Sequence, residues 1–319
     1  MDVGGTWKVR GRLRLKRRAR YSGSVTLTGG RRNDRVRLAA TCRTRGGVDI
    51  VWDGTGRLIG SRLFVKLRMR IGSGGWRSGE GAYVVTTDGA QMQGTWGLCG
   101  VRIFGGETLQ RPGLRPRPRA TTGLKPPKRM PGNFVPVPLV PQAVDYSCGA
   151  ACLAAVLYYW RDFDLGEGFL YRALHTTVRN GTEPKRIAEV ARRHKLRARY
   201  SKWTTPEQLW AALSDGDTVI LDLQAWHDGR GRIDWKAEWD DGHYVVLVGK
   251  SRHHVFVMDP STCGSYAWFP LTELEPRWHE TERGERDHVG HDDPRFFQAI
   301  CIHGRGPLRS VPGSLLRMH

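Results

Sequence analysis

The sequence predicts a two-part protein, an antiparallel β-barrel followed by a domain of α+β type. Three observations carry that prediction. Positive charge is concentrated at the front, where residues 1–130 hold 28 Lys and Arg against 7 Asp and Glu, while all eleven histidines lie from His175 onward. Residues 1–110 alternate apolar and polar side chains, the pattern of strands with one dry and one wet face. Beyond residue 140, an apolar helical run gives way to separate strand-like runs. A length of 319 residues, with 39% apolar and 26% charged side chains, suits two globular domains, each with its own core. No apolar run approaches the roughly 20 residues of a membrane-spanning helix. The basic N-terminus has no apolar core behind it and does not read as a secretory signal, so cytoplasmic residence is expected.

The strands of the first domain, residues 1–110, are read from "WKVRGRLRLKRRARY" and "SRLFVKLRMRI". In the first, Trp7, Val9, Leu13 and Leu15 oppose Lys8, Arg10, Arg12 and Arg14; in the second, Leu63, Val65, Leu67 and Met69 oppose Lys66, Arg68 and Arg70. "TGGRRND", "WDGTGR", "GSGGWRSGEG" and "TTDGAQ" are read as turns between further strands. Gly5-Thr6-Trp7 and Gly94-Thr95-Trp96 bracket the region, which suits a sheet closing on itself. This arrangement resembles the lipocalin-like, or calycin, barrels, whose first strand carries a similar Gly-x-Trp. A small barrel is expected to be filled by its own side chains.

"RPGLRPRPRATTGLKPPKRMPGNFVPVPLVP", Arg111 to Pro141, is crowded with proline and arginine, and residues 111–137 are read as an extended, partly stiff connector. The second domain, 138–319, opens on "PQAVDYSCGAACLAAVLYYW". Cys148 stands in the first turn of a helix, where unpaired N–H groups and the macrodipole favour negative charge. Gly149 is expected to leave room for a substrate carbonyl, and Gln142, six residues upstream, to supply an oxyanion donor beside the Cys148 N–H. Cys42, Cys99, Cys152, Cys263 and Cys301 read as packing residues.

A base and its orienting group are found in "DDGHYVVLVGKSRHHVFVMDPSTCGSYAWF". His243 opens one strand and Asp259 ends the next, so an antiparallel pair sets them within reach of each other, His243 to pair with the thiol and Asp259 to fix the tautomer. With Gln142, "DYSCGAACLAAVL", "GHYVVLVG" and "VFVMDP" in that order, the sequence from about Pro138 to His303 resembles the papain-like cysteine peptidases that process bacteriocin and other double-glycine leader peptides. The resemblance implies an α+β papain-like fold with Cys148 as nucleophile, His243 as general base and acid, Asp259 as orienting residue and Gln142 as oxyanion donor. It implies a peptide or protein substrate in an extended pose and requires no metal or organic cofactor. Many members carry Asp before the nucleophile, where this chain has Ser147. Members fused to transporters carry a nucleotide-binding domain, whereas no "GxxxxGK" occurs here, so a free-standing version is expected.

Acyl transfer on the same triad, as in phytochelatin-synthase-like relatives, and a leader-binding module without catalysis are the alternatives; the presence of Cys148 argues against the second. The basic barrel is expected to draw an anionic partner, an acidic peptide precursor being favoured over an anionic membrane or nucleic acid. His279, His288, His291, Asp292 and Asp293 in "RWHETERGERDHVGHDD" match no common zinc spacing and read as a polar loop. His253 and His254 are placed in a solvent-facing turn.

Overall fold

The structure, a computed structural model, describes residues 3–14, 18–29, 35–59, 61–85, 89–99, 101, 103–114, 124–132, 134–161, 166–178, 180–226, 233–262, 265–283, 292–306 and 314–317. These fall into two compact units, one drawn from 1–120, 234–239 and 281–296, the other from 121–233, 240–280 and 297–319.

In the first unit, alternation becomes eight strands: β1 (Gly5–Arg14), β2 (Arg18–Gly29), β3 (Arg35–Thr44), β4 (Asp49–Ile59), β5 (Arg62–Ile71), β6 (Arg77–Val85), β7 (Gln91–Leu98) and β8 (Phe104–Gln110). Each pairs antiparallel with its sequence neighbours, and β1 pairs with β8, closing the barrel. Along β3, Val36, Leu38, Ala40 and Cys42 are buried between exposed Arg35, Arg37, Ala39, Thr41 and Arg43. Trp7, Trp52 and Trp96 are fully buried and fill the interior. "WDGTGR" is a correction to the turn reading, because it lies inside β4. Gly54 serves a close strand approach there, since a Cβ on it would stand 2.4 Å from the Lys66 carbonyl oxygen. The core also holds one buried carboxyl, Glu107, which accepts hydrogen bonds from the Tyr21 and Tyr83 hydroxyls, while Trp96 Nε1 donates to Tyr21 at 2.9 Å.

Segments far along the chain complete this unit. Trp239 stacks on Phe104 at 4.5 Å between centroids, and Lys236 Nζ donates to Gln93 Oε1 at 2.9 Å.

The second unit contains α1 (Cys148–Arg161), α2 (Tyr171–Leu174), α3 (Pro184–Arg193), β9 (Arg197–Ser201), α4 (Pro206–Ser214), β10 (Thr218–Gln224), β11 (Gly242–Lys250), β12 (His254–Met258), β13 (Ser265–Pro270), α5 (Leu274–Arg277), β16 (Ala299–His303) and β17 (Ser314–Arg317). Between α5 and β16 the chain forms β14 (His279–Arg283) and β15 (Asp292–Phe296). Proline at the first helical turn starts α3 and α4, and Thr205 and Gln208 form a reciprocal capping box at α4. The seven-stranded sheet runs β17-β13-β12-β11-β10-β16-β9. β10 and β11 are buried on both faces, which is why their residues do not alternate between buried apolar and exposed polar ones. One core joins Leu153, Val156 and Leu157 of α1 to Val246 and Val248 of β11, so the cysteine-bearing helix packs directly on the histidine-bearing strand.

The later part of the proline-rich connector runs along this unit. Val135 N–H donates to the Val248 carbonyl at 2.7 Å, and the Tyr266 hydroxyl donates to that of Val137 at 2.6 Å. His254 is a second correction: it begins β12, lies 2.9 Å from the Lys125 carbonyl through Nε2 and packs edge-on against Trp268. His279 is a third, buried at the start of β14 rather than in a loop. His288, His291 and Cys263 lie outside the described residues. Among the described residues, no helix is long and apolar enough to cross a membrane.

Candidate active site

The polar loop before α1 is pinned by one buried carboxylate. Glu167 Oε1 accepts from the Ala143 N–H at 2.7 Å, lies 2.8 Å from Ser147 Oγ and accepts from the Tyr171 hydroxyl at 2.5 Å. Ser147 Oγ also lies 2.8 Å from the Val144 carbonyl, and the Ser147 carbonyl accepts the Ala151 N–H at 2.9 Å. The helix therefore begins at Cys148, which is 9% exposed. Cys152, one turn on, has no solvent exposure, and burial followed by the charge of the Cys148 side pushes its thiol well up, as expected of a packing residue.

Gly149 corrects an expectation. A Cβ there would meet Thr182 Cβ at 2.8 Å and Tyr244 Cδ2 at 3.1 Å, so the missing side chain lets α1 pack closely and does not open space for substrate.

β11 and β12 run antiparallel, with Val246 opposite Met258. His243 at the start of β11 consequently faces Asp259, the residue after β12, with Nε2 2.7 Å from Oδ1. The Cys148 side chain lies close enough to the same ring to act on it by charge and hydrogen bonding. Nε2 being engaged by Asp259, Nδ1 is the nitrogen left for sulfur. Burial works against the charged imidazolium, but the Asp259 carboxylate and the contact with Cys148 outweigh it and raise His243 from 6.5 to about 10. Asp259 shows the complement: burial alone would raise it, while the charge and hydrogen bond of His243 bring it below its ordinary value.

Two residues that sequence reasoning missed complete the carboxylate's surroundings. Ser261 donates through N–H at 2.8 Å and Oγ at 2.6 Å to Asp259 Oδ1, and Trp226 Nε1 donates to Oδ2 at 2.7 Å. "DPS" carries a turn signal that could have pointed to Ser261. Nothing local marks Trp226, 33 residues before Asp259 and held at a φ of 58° that side-chain-bearing residues seldom adopt. Glu167 was also missed, because a lone glutamate in "DLGEGF" has no motif around it.

Gln142 joins the same group. Its N–H donates to the Pro260 carbonyl at 2.8 Å and its Nε2 to the Val144 carbonyl at 3.1 Å, tying the end of β12 to the loop before Cys148; its Oε1 is buried with no hydrogen-bond partner among the described residues. All four residues read from the sequence, Gln142, Cys148, His243 and Asp259, are thus brought together. A further carboxyl, Asp222 on β10, feels Glu280, Cys148 and His243; burial, then Glu280 and Cys148, push it well above the carboxylate range. Its neutral form is favoured.

Residues 136–281 match the model of the Peptidase C39 family. The second unit carries a C39 peptidase domain. That family supports a cysteine peptidase acting on peptide or protein substrates. No curated protein sequence matches the chain. Among solved structures, a Bacillus anthracis protein assigned to the C39-like peptidases is 17% identical with a TM-score of 0.37, covering 53% of this chain and 96% of that one. A redesigned β-barrel, mFAP1, bound to DFHBI, is 16% identical with a TM-score of 0.29, covering 34% of this chain and 94% of that one. Rv2717c from M. tuberculosis is 14% identical with a TM-score of 0.23, covering 34% and 92%.

Proposed function

We propose that the C39 domain hydrolyses a peptide bond in a peptide or protein precursor through Cys148, His243 and Asp259, with Gln142 as an oxyanion donor. The observation that carries this reading is the buried chain of contacts from Cys148 to His243 to Asp259, with Nε2 to Oδ1 at 2.7 Å. His243 takes the thiol proton, and sulfur attacks the scissile carbonyl to give a tetrahedral oxyanion. The Cys148 N–H is among the first of its helix, which lack intrahelical acceptors, and Gln142 Nε2 keeps one hydrogen beyond that given to Val144; we assign these two donors to the oxyanion. The proton on His243 passes to the leaving amine, and the acyl group stays on sulfur as a thioester. Water, deprotonated by His243, then hydrolyses the thioester and restores the thiol. Asp259, fixed by Ser261 and Trp226, stabilises the imidazolium throughout.

The test is mass spectrometry of a precursor-derived peptide library incubated with wild type and with Cys148→Ala. New termini generated by wild type alone, with uncut peptides retained on Cys148→Ala, support hydrolysis. Ligation products without free new carboxyl termini would replace it by acyl transfer.

A further inference from the structure

The outward face of the barrel is a consequence of strand alternation: once Leu63, Val65, Leu67 and Met69 point inward, Lys66, Arg68 and Arg70 must point out, about 6.8 Å apart along β5. Cross-strand register extends the row. Arg37 on β3 pairs with Thr28 and Thr55, and Thr55 pairs with Lys66. Thr28, Arg37, Thr55 and Lys66 line a shallow hollow of about 560 Å³ on the first unit, with Thr26, Arg68 and the carboxylate of Asp53. Asp53 pairs with Arg68 through Nε at 2.8 Å. Among the described residues, no ion pair is recorded for Arg37, Lys66 or Arg70, all exposed.

At the end of this row stands Trp76, 44% exposed in the turn between β5 and β6. The guanidinium carbons of Arg68 and Arg70 lie 5.0 and 5.6 Å from its ring centroid. An exposed indole held by two cations beside a basic, hydroxyl-lined hollow combines the two devices that bind an unpaired polynucleotide, charge for its phosphates and a flat surface for a base. A second basic hollow on this barrel, with Arg10, Arg20 and Arg45, has Tyr21 as its aromatic lining residue, but that ring is buried and its hydroxyl is bound to Glu107, so it offers no exposed face to a base.

We infer that the β2–β5 face of the barrel binds single-stranded nucleic acid, with Arg37, Lys66 and Arg70 on phosphates and Trp76, flanked by Arg68, stacked on a base. Acidic peptide, the partner favoured by charge alone, uses the guanidinium groups but has no use for the indole. This inference is independent of the peptidase reading.

The experiment is fluorescence anisotropy of labelled oligo(dT), with full-length protein, over a salt series. Three phosphate contacts give a slope of about −2 in log affinity against log salt. Trp76→Ala weakens binding about tenfold, and Arg37→Gln with Lys66→Gln flattens the slope by about 1.4. All three residues are exposed, and an unchanged melting curve for each variant shows that the barrel is intact. Absence of binding at low salt overturns the inference. Equal affinity in wild type and Trp76→Ala, or displacement of oligo(dT) by an equal charge of polyglutamate, overturns it in favour of an acidic peptide.

Discussion

Glu107 inside the barrel and Asp259 in the C39 domain are both carboxyls almost closed to solvent, at 2% and 1% exposure. Burial pushes each toward its neutral form. Around Glu107 the partners are neutral donors, Tyr21, Tyr83 and Trp96; their hydrogen bonds do not offset burial, and its pKa is raised. Around Asp259 the principal partner can carry a proton, and the attraction of His243 overcomes burial, so its pKa is lowered. Hydrogen-bond donors alone make a buried carboxyl a packing group; a titratable partner within 2.7 Å makes it part of a charged pair that can move a proton.

The largest effect separates the surroundings of these two carboxyls by activity. Cys148→Ala and His243→Ala should each abolish cleavage in a peptide-turnover assay, whereas Glu107→Gln, which keeps an acceptor for the two phenols, should leave it unchanged. Equal loss in Glu107→Gln would break the comparison. Next comes Gln142→Ala, which should reduce kcat by about 10²–10³ as one of two oxyanion donors is lost. Wild-type kcat in that variant would remove Gln142 from the mechanism.

Glu167 is a third buried carboxyl, and its task is to hold the loop before Cys148. Glu167→Ala removes the acceptor of the Ala143 N–H and the Tyr171 hydroxyl, while the Ser147 hydroxyl keeps the Val144 carbonyl, and should lower stability by about 2 kcal/mol. Calorimetric melting of the full chain checks this, and an unshifted transition would show that the loop is held by other contacts.

The smallest effect is a pH signature. His243 has a folded value above its unfolded one, so its contribution is complete below pH 6.5 and is lost as pH rises toward about 10. Asp259 has a folded value below its unfolded one, so its contribution is present above the ordinary carboxylate range and disappears as pH falls through the folded value. The stability difference between wild type and Asp259→Asn should therefore be widest from roughly pH 5 to 6.5 and narrow on either side. Denaturant titrations across pH measure it, and a pH-independent difference would mean that the two side chains do not titrate as a pair.

Much of this was legible in the sequence because it rests on local periodicity. Arg35 to Arg43 and Arg62 to Arg70 announce one-sided strands, and His243 and Asp259 sit at the ends of two apolar runs joined by a short turn, so antiparallel pairing alone brings them together. "WDGTGR" was misread because glycine marks both turns and close strand approaches, and only the neighbouring Lys66 carbonyl tells them apart. Trp226 and Glu167 were invisible because their partners are distant in sequence or depend on a tertiary loop shape. The inclusion of residues 234–239 and 281–296 in the barrel unit was likewise hidden. Trp239 and Phe296 are ordinary core residues in composition, and their partners, such as Phe104, are fixed only by the folded chain.

The central claim is that His243 activates Cys148, and the rate of alkylation by iodoacetamide at neutral pH, mapped by mass spectrometry, tests it most directly without a substrate. Among the described cysteines, Cys42, Cys152 and Cys301 are buried with raised thiols, which leaves partly exposed Cys99 as the reference. Cys148, although only 9% exposed, should be modified before Cys99 in wild type and lose that advantage in His243→Ala, with the Cys99 rate the same in both. Faster modification of Cys99 in wild type, or a Cys148 rate indifferent to His243→Ala, would contradict the account.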